Sequence, residues 1–207
     1  MFKKALFILP VLLFVGCSTK EVTEYENLTA LSWHQKIYKD IKNNHLEQAD
    51  EDFTSLQAEH PSSIYIKSNL LSLFLAHKKE EEFELAKFYL DEYKKRYASS
   101  KEIPWIEYQK IKIDFLAYQN AYTNQKHLLD LIKSCKEYIS KYPNSKYIYE
   151  VNTILAKANL TKKYFDDKIN KLYKKLDKPK ASNKYKTIIP KNSKEPHIPW
   201  YKKLFYW

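Results

Sequence analysis

The sequence predicts an all-α fold, a superhelical solenoid of about four helical hairpins with an irregular C-terminal tail. The clearest evidence is a set of apolar residues spaced three and four apart, which places them on one face of an α-helix. These residues are Leu128, Leu131, Cys135, Tyr138 and Tyr142. Pro143 ends that helix because its ring cannot continue the hydrogen-bond pattern. Asn144 or Ser145 can then cap the following helix.

The same helix face recurs twice upstream, which predicts a repeat protein. The two earlier copies are Leu46, Ala49, Phe53, Leu56 and His60, and then Phe83, Ala86, Leu90, Tyr93 and Tyr97. Pro61 and Ser63 follow the first copy, as Pro143 and Ser145 follow the last. The copies begin 37 and 45 residues apart, against a period of about 34 in tetratricopeptide repeats. We therefore expect tetratricopeptide-like hairpins with extra residues near 98–104 and 117–125.

The predicted repeat domain covers residues 29–177. Its helices are expected from near Leu28 to Asn43, and then over 45–60, 63–78, 80–97, 104–121, 125–142, 145–161 and 163–176. Asn43 and Asn44 close the first helix, since asparagine tolerates the left-handed backbone in which many helices end. Hairpins of this kind bury their apolar faces only against neighbouring hairpins, so they stack into a solenoid.

Glycine is almost absent, and this excludes several classes of site. The single glycine, Gly16, lies in the predicted leader. Walker-type phosphate loops and GxGxxG dinucleotide turns both need glycine for close backbone approach. Tight β-hairpin turns depend on it as well. The composition therefore favours helices joined by Asn, Ser, Asp and Pro, and predicts no nucleotide cofactor.

Residues 1–16 are predicted to be a lipoprotein signal peptide. Lys3 and Lys4 form its positive start, and the apolar segment over 5–15 is too short to span a bilayer stably. Gly16 precedes Cys17 as in a bacterial lipobox, although Phe14 stands where leucine is usual. We expect Cys17 to carry an S-diacylglycerol and an N-acyl group such as palmitate. The alternative is an ordinary cleaved signal followed by an incidental cysteine.

Lipidation at Cys17 predicts a chain that is held at a membrane. Its acyl chains exceed the two signals that stable anchoring needs. Ser18 after the cysteine, by analogy with enterobacterial sorting, favours the outer membrane. Residues 17–28 are polar and charged, so they are predicted to form a lipidated tether ahead of the repeats.

Residues 178–207 differ in composition from the repeats and are predicted to be a basic tail. The whole chain has a formal charge of +11. This tail accounts for +7 of it, while residues 17–177 are nearly neutral at +2. Its last residues include a candidate partner-docking set, namely Trp200, Tyr201, Leu204, Phe205 and Trp207. The alternatives are a solvated tail, a cap on the open end of the solenoid, contact with lipid headgroups and, last, binding of single-stranded nucleic acid.

No catalytic or metal-binding constellation is predicted. The six histidines, at 34, 45, 60, 77, 127 and 197, show no ligand spacing and are expected at the surface or at helix ends. His60 is predicted to pack at a helix end, where other copies have tyrosine. Cys135 lies on the repeated apolar face, so we expect it to be a small core residue rather than a nucleophile. The chain is therefore predicted not to be an enzyme.

Two motifs point to a known family. The pattern A-x3-F-x2-L-x3-HP-x-S-x-Y spans Ala49–Tyr65 and YPNSKY spans Tyr142–Tyr147, both downstream of the lipobox cysteine. Over residues 17–176 these features resemble the BamD (ComL) family of outer-membrane assembly lipoproteins. The resemblance implies a periplasmic scaffold, lipid-anchored in the outer membrane, that binds BamA and other assembly lipoproteins. It also implies that the N-terminal repeats receive unfolded outer-membrane protein segments and that the C-terminal repeats hold BamA.

Several alternatives remain open beside this resemblance. Family members usually carry five repeats, whereas four hairpins and a basic tail are predicted here. Tyr65, Tyr147 and Tyr149 are candidate peptide-groove residues, and the alternative is that they pack between repeats. The competing functions are a lipoprotein of the Tol–Pal or peptidoglycan system, a DNA-uptake lipoprotein, and a hydrolase using Cys135.

Overall fold

A computed structural model of the chain describes residues 28–120 and 125–186, and all the secondary structure over those ranges is helical. Its helices are α1 Ala30–Lys42, α2 Leu46–Glu59, α3 Tyr65–Lys79, α4 Phe83–Tyr97, α5 Ile103–Asn120, α6 Gln125–Lys141, α7 Ile148–Lys175 and α8 Pro179–Lys184. Successive helices pack against one another, and α1 also contacts α3 as α5 contacts α7. This is the arrangement of a tetratricopeptide-like solenoid, so the predicted fold class is confirmed.

The predicted stops between the hairpin repeats have the same geometry in the first and last copies. The Oγ of Ser63 accepts the backbone N–H of Tyr65 at 3.2 Å, and the Oγ of Ser145 accepts that of Tyr147 at 3.2 Å. These serines form the turn that precedes each helix. The N-cap residues themselves are Ile64 for α3 and Tyr147 for α7, and neither side chain makes a capping hydrogen bond, so the predicted cap at Asn144 or Ser145 is wrong.

Helices α1, α3 and α7 end in one recurring motif that the chain builds without glycine. The residue after each C-cap is left-handed: Asn44 has φ 61°, Glu81 has φ 63° and Asp177 has φ 51°. The next backbone N–H then bonds a carbonyl five residues back, as from His45 to Asp40 at 2.9 Å. Asn44 confirms the predicted end of α1. Glu81 and Asp177 were not predicted, because a left-handed conformation is costly for most residues that have a Cβ.

Most of the buried hydrophobic side chains of the described residues form two clusters, which we call the first core and the second core. The first core contains Trp33, Ile37, Ala49, Phe53, Leu56, Ile66, Leu70, Leu73, Phe74, Ala86, Tyr89, Leu90, Tyr93, Ile106 and Ile113. The second core contains Ile111, Tyr118, Leu128, Leu131, Ile132, Cys135, Tyr138, Val151, Ile154 and Ala158. The three predicted helix faces therefore supply buried residues to these cores, as expected.

One predicted helix boundary is wrong. The helices expected over 145–161 and 163–176 are a single helix, α7, of 28 residues. No proline or glycine lies near the expected break, and local contacts bridge it. Thr161 donates to the carbonyl of Lys157 at 2.9 Å, and the Lys162 ammonium lies 2.5 Å from Asp166. The helix is therefore continuous through this position.

The start of the predicted tail is packed against α7. Asn170, which is buried, donates its side-chain N–H to the carbonyl of Ser182 in α8 at 2.6 Å. Tyr173 stacks on Tyr185 with 5.8 Å between the ring centres. Among the described helices, none combines the length and the apolar character needed to cross a bilayer.

Candidate polypeptide-binding cleft

Aromatic contacts connect successive odd-numbered helices along one face of the solenoid. The ring of His34 in α1 stacks on Tyr65 in α3 with 4.8 Å between centres. Phe74 in α3 meets Trp105 in α5 edge to face at 6.1 Å. The ring of Tyr108 in α5 stacks on Tyr147, the N-cap of α7, at 4.6 Å. In such solenoids the first helices of successive repeats share one extended surface, and the partly exposed rings among these belong to it. Phe74 is instead buried in the first core, so its contact joins Trp105 to that core.

A cleft of about 520 Å³ opens on this face between α3, the start of α5 and the loop from α6 to α7. Its apolar walls are Leu71, Tyr93, Pro104, Trp105 and Tyr147. The volume lies within the range of about 300–1,000 Å³ that is typical of ligand pockets. Aromatic walls give a large contact area at low conformational cost, which suits extended polypeptide.

The acidic group in the cleft, Glu102, is held by neighbouring donors. Its carboxylate accepts the hydroxyl of Tyr93 at 2.6 Å, the backbone N–H of Ser99 at 2.8 Å and the Ser99 hydroxyl at 2.7 Å. These hydrogen bonds, led by that from Tyr93, lower the pKa of Glu102 to about 2. Burial, and then the bond to Glu102, raise the pKa of Tyr93 to about 12. At neutral pH Glu102 is therefore ionised and Tyr93 is a neutral donor.

Lysine side chains lie at the rim of the cleft. Lys101 and Lys146 line it and are exposed to solvent. The Lys146 ammonium lies 5.1 Å from the ring centre of Tyr147, and that of Lys67 lies 5.7 Å from the ring centre of Tyr93. Cation–π contacts of this kind leave the ammonium donors open to an anion.

The three tyrosines that were predicted from the sequence to line a groove have three different environments in the structure. Tyr147 lines the cleft. Tyr65 instead packs against His34 and the first core, which is the alternative that the sequence left open for it. Tyr149 is 81% exposed and is not among the residues that line the cleft. Cys17 and the tail residues Trp200, Tyr201, Leu204, Phe205 and Trp207 lie outside the described residues.

Sequence reasoning missed Trp105, Lys101 and Leu71 as cleft residues. The extra residues before α5 shift Trp105 out of the register in which Tyr65 and Tyr147 follow a serine by two positions. The signal available was the tryptophan directly after Pro104 at a helix start. Leu71 offered no signal, because a leucine within a helix looks like any core residue.

Histidine 77 corrects one part of the prediction for histidines. It lies in the last turn of α3, as expected, but only 1% of its surface is exposed. Its ring nitrogens contact Asp50 at 2.9 Å and Glu82 at 2.5 Å. Because both partners are carboxylates, both nitrogens must donate, so His77 is an imidazolium. By contrast, His60 lies at a helix end, as predicted. There its ring donates a hydrogen bond to the Leu28 carbonyl at 2.7 Å.

Cys135 has the environment of a core residue. Its side chain is fully buried, and burial, with a smaller contribution from Asp114, raises the pKa of its thiol to about 11. A thiol in this environment is a poor nucleophile. Within residues 28–120 and 125–186, no group of three or more His, Cys, Asp and Glu side chains could hold a metal ion.

Comparison with known proteins places this architecture in a family. A family model described as "Outer membrane lipoprotein" (YfiO) matches residues 27–195. The chain is also 34% identical over 215 residues to the outer membrane protein assembly factor BamD of Helicobacter pylori. That alignment covers 100% of this chain and 98% of the relative. The chain therefore belongs to the BamD family of outer-membrane lipoproteins.

Proposed function

We propose that the protein is a non-enzymatic scaffold of the β-barrel assembly machinery, anchored in the outer membrane and facing the periplasm. In this role it binds BamA and other assembly lipoproteins and helps outer-membrane proteins to insert and fold. The observation that carries this proposal is the full-length similarity to an outer membrane protein assembly factor. The repeat architecture supports it, because solenoids of helical hairpins present extended surfaces to protein partners.

The described cleft is the proposed contact for unfolded segments of outer-membrane proteins. Trp105 and Tyr147 form aromatic walls that are already ordered by their contacts with Phe74 and Tyr108. Ordered walls lower the entropic cost of binding a flexible chain. Tyr149, the second residue of α7 and largely exposed, is proposed to extend this contact beyond the cleft.

Two further parts of the proposal concern the ends of the chain. Cys17, once lipidated, would anchor the scaffold at the membrane. Trp200, Tyr201, Leu204, Phe205 and Trp207 would dock on BamA, since large apolar side chains and nearby lysines suit a protein interface.

Affinity purification of the full lipidated chain from detergent-solubilised outer membrane tests the role. We expect to recover a polypeptide-transport barrel protein of the BamA class, and recovery of Tol or Pal components instead would contradict the proposal. Deleting residues 196–207 should lower BamA recovery while leaving the thermal unfolding midpoint unchanged. Replacing Cys17 with serine should release the chain from the membrane fraction, whereas replacing Cys135 with serine should not.

A further inference from the structure

We propose that the cleft between α3, α5 and the α6–α7 loop selects polypeptide segments in which an acidic residue lies beside a large aromatic one. Lys101 and Lys146 are the residues that make this selection. The inference rests on the proposed function, because it concerns which segments the polypeptide-binding cleft prefers.

The cleft is lined mainly by apolar side chains. Trp105, Tyr147, Leu71 and Pro104 all contribute to it. An aromatic side chain fits such walls, since aromatic pairs add to the stabilisation from buried area alone. A segment of polar residues only would leave these walls without a partner.

The charged residues of the cleft lining have a positive balance. Lys101 and Lys146 outnumber Glu102, whose carboxylate keeps its charge because its three hydrogen bonds come from the neutral donors of Tyr93 and Ser99. Among the described residues, neither Lys101 nor Lys146 forms an ion pair. The lining therefore has a net positive charge, and its two ammonium groups are available to a ligand. An acidic residue on the bound segment meets the lysines, and a basic one is repelled by them.

A second cleft of the molecule has the opposite charge. It lies near the α1–α2 and α3–α4 turns and is lined by four glutamates, of which Glu80 pairs with Lys79 and Glu82 with His77, while Glu47 and Glu51 form no ion pair among the described residues. An acidic segment would be repelled there and attracted to the lysine-rimmed cleft. The charge arrangement thus directs an acidic aromatic segment to one position on the solenoid.

A set of three peptides tests the selection on the full mature chain in detergent micelles. Each fluorescent decapeptide carries one central tryptophan, flanked by two glutamates, two glutamines or two lysines. Anisotropy, corrected for micelles alone, should show the acidic peptide binding roughly fivefold tighter than the neutral one, as two exposed ion pairs allow. The basic peptide should bind most weakly, and added salt should reduce the differences.

Charge reversal at the rim gives the decisive comparison. The double variant K101E/K146E should prefer the basic peptide, and K101Q/K146Q should bind all three peptides alike. The control K39E/K136E changes the net charge by the same amount, at exposed lysines outside the cleft. It should keep the wild-type order of peptide affinities. Circular dichroism confirms that each variant is folded.

The outcomes separate the selection from the proposed function. Equal binding of the three peptides to the wild type, or an unchanged order of affinities in K101E/K146E, would overturn the selection. The proposal that the cleft binds polypeptide would remain. Trp105→Ala should weaken all three peptides alike. If no peptide binds, or if Trp105→Ala has no effect, the cleft is not the polypeptide-binding site. In that case the proposed role of the cleft and the proposed selection both fail.

Discussion

The two cores of the solenoid are stabilised by different kinds of polar contact. Beside the first core, the buried imidazolium of His77 stacks on Tyr89 of that core and lies between the carboxylates of Asp50 and Glu82. Tyr89 also donates to Asp50 at 2.6 Å. In the second core the buried hydroxyl of Tyr138 donates to the carbonyl of Pro104 at 3.0 Å. Hydrogen bonds to charged groups contribute more than neutral ones. The first core therefore depends on electrostatics more than the second.

Helix α5 connects these two cores. Its Ile106 and Ile113 are buried in the first core, whereas Ile111 and Tyr118 are buried in the second. A helix that is buried on two sides has no single apolar stripe, which explains why α5 shows no clear amphipathic pattern. Helix α5 therefore lies between the two cores and packs against both of them.

Cavities made in each core should produce the largest losses of stability, and each loss should affect a different set of helices. Leu70→Ala and Leu131→Ala remove leucines that are 0% and 1% exposed, and each should lower the free energy of unfolding by about 2–5 kcal/mol. Hydrogen exchange measured by mass spectrometry should then locate the effect. We expect Leu70→Ala to accelerate exchange in α1–α4, and Leu131→Ala in α6 and α7.

The buried thiol of Cys135 is a second probe of the same comparison. In a chain with Cys17 replaced by serine, Leu131→Ala should accelerate labelling of Cys135 far more than Leu70→Ala does. Equal acceleration by the two variants would show that the cores open together, as a single cooperative unit.

Removing single hydroxyl groups should give the next largest difference. Tyr89→Phe deletes a bond to the carboxylate of Asp50 and should cost about 1.5–3 kcal/mol. Tyr138→Phe deletes bonds to neutral groups, including Ser145 at 2.7 Å, and should cost about 0.5–1.5 kcal/mol. Urea unfolding measures both. A larger loss in Tyr138→Phe would contradict the distinction between the cores.

The pH dependence of stability should report on His77. Burial alone would lower the pKa of its imidazole, but the hydrogen bonds to Asp50 and Glu82 outweigh burial and raise it above the ordinary 6.5. The folded chain then binds more protons than the unfolded one, so this stabilisation is complete below about pH 6.5. It is lost as the pH rises through the raised pKa.

Urea midpoints measured from pH 6 to pH 9 test this dependence. His77→Gln should remove the loss of stability on the alkaline side, since glutamine carries no titrating ring. The matched variant His127→Gln, at the start of α6, should keep the loss. An unchanged pH profile in His77→Gln would contradict the role of His77.

The smallest effects should come from a row of ion pairs between α4 and α5, the helix that connects the cores. Helices α4 and α5 run antiparallel, and Lys94 pairs with Glu107, Asp91 with Lys110, and Lys87 with Asp114 at 2.5, 2.8 and 3.2 Å. Each pair is partly exposed, so Asp91→Asn should cost only about 0.2–1 kcal/mol in urea unfolding. The swap D91K/K110D should recover that loss, and salt should reduce it.

The repeat faces were predictable because their signals are local. The spacing at Leu46–His60, Phe83–Tyr97 and Leu128–Tyr142 identifies one helix face each, and a proline or serine marks each stop. The cleft was not predictable in the same way, since Leu71, Trp105 and Tyr147 come from three distant segments. Tyr65 shows the limit of the pattern: it shares its motif with Tyr147 yet packs against His34.

The sequence by itself determined the helical repeats, the helix stops and the family, because periodicity, proline and motif are properties of neighbouring residues. Only the tertiary structure decided that α5 belongs to both cores and that His77 is a buried cation. It also decided where the cleft lies. Those features depend on contacts between residues far apart in the chain, and such contacts leave no periodic trace in the sequence.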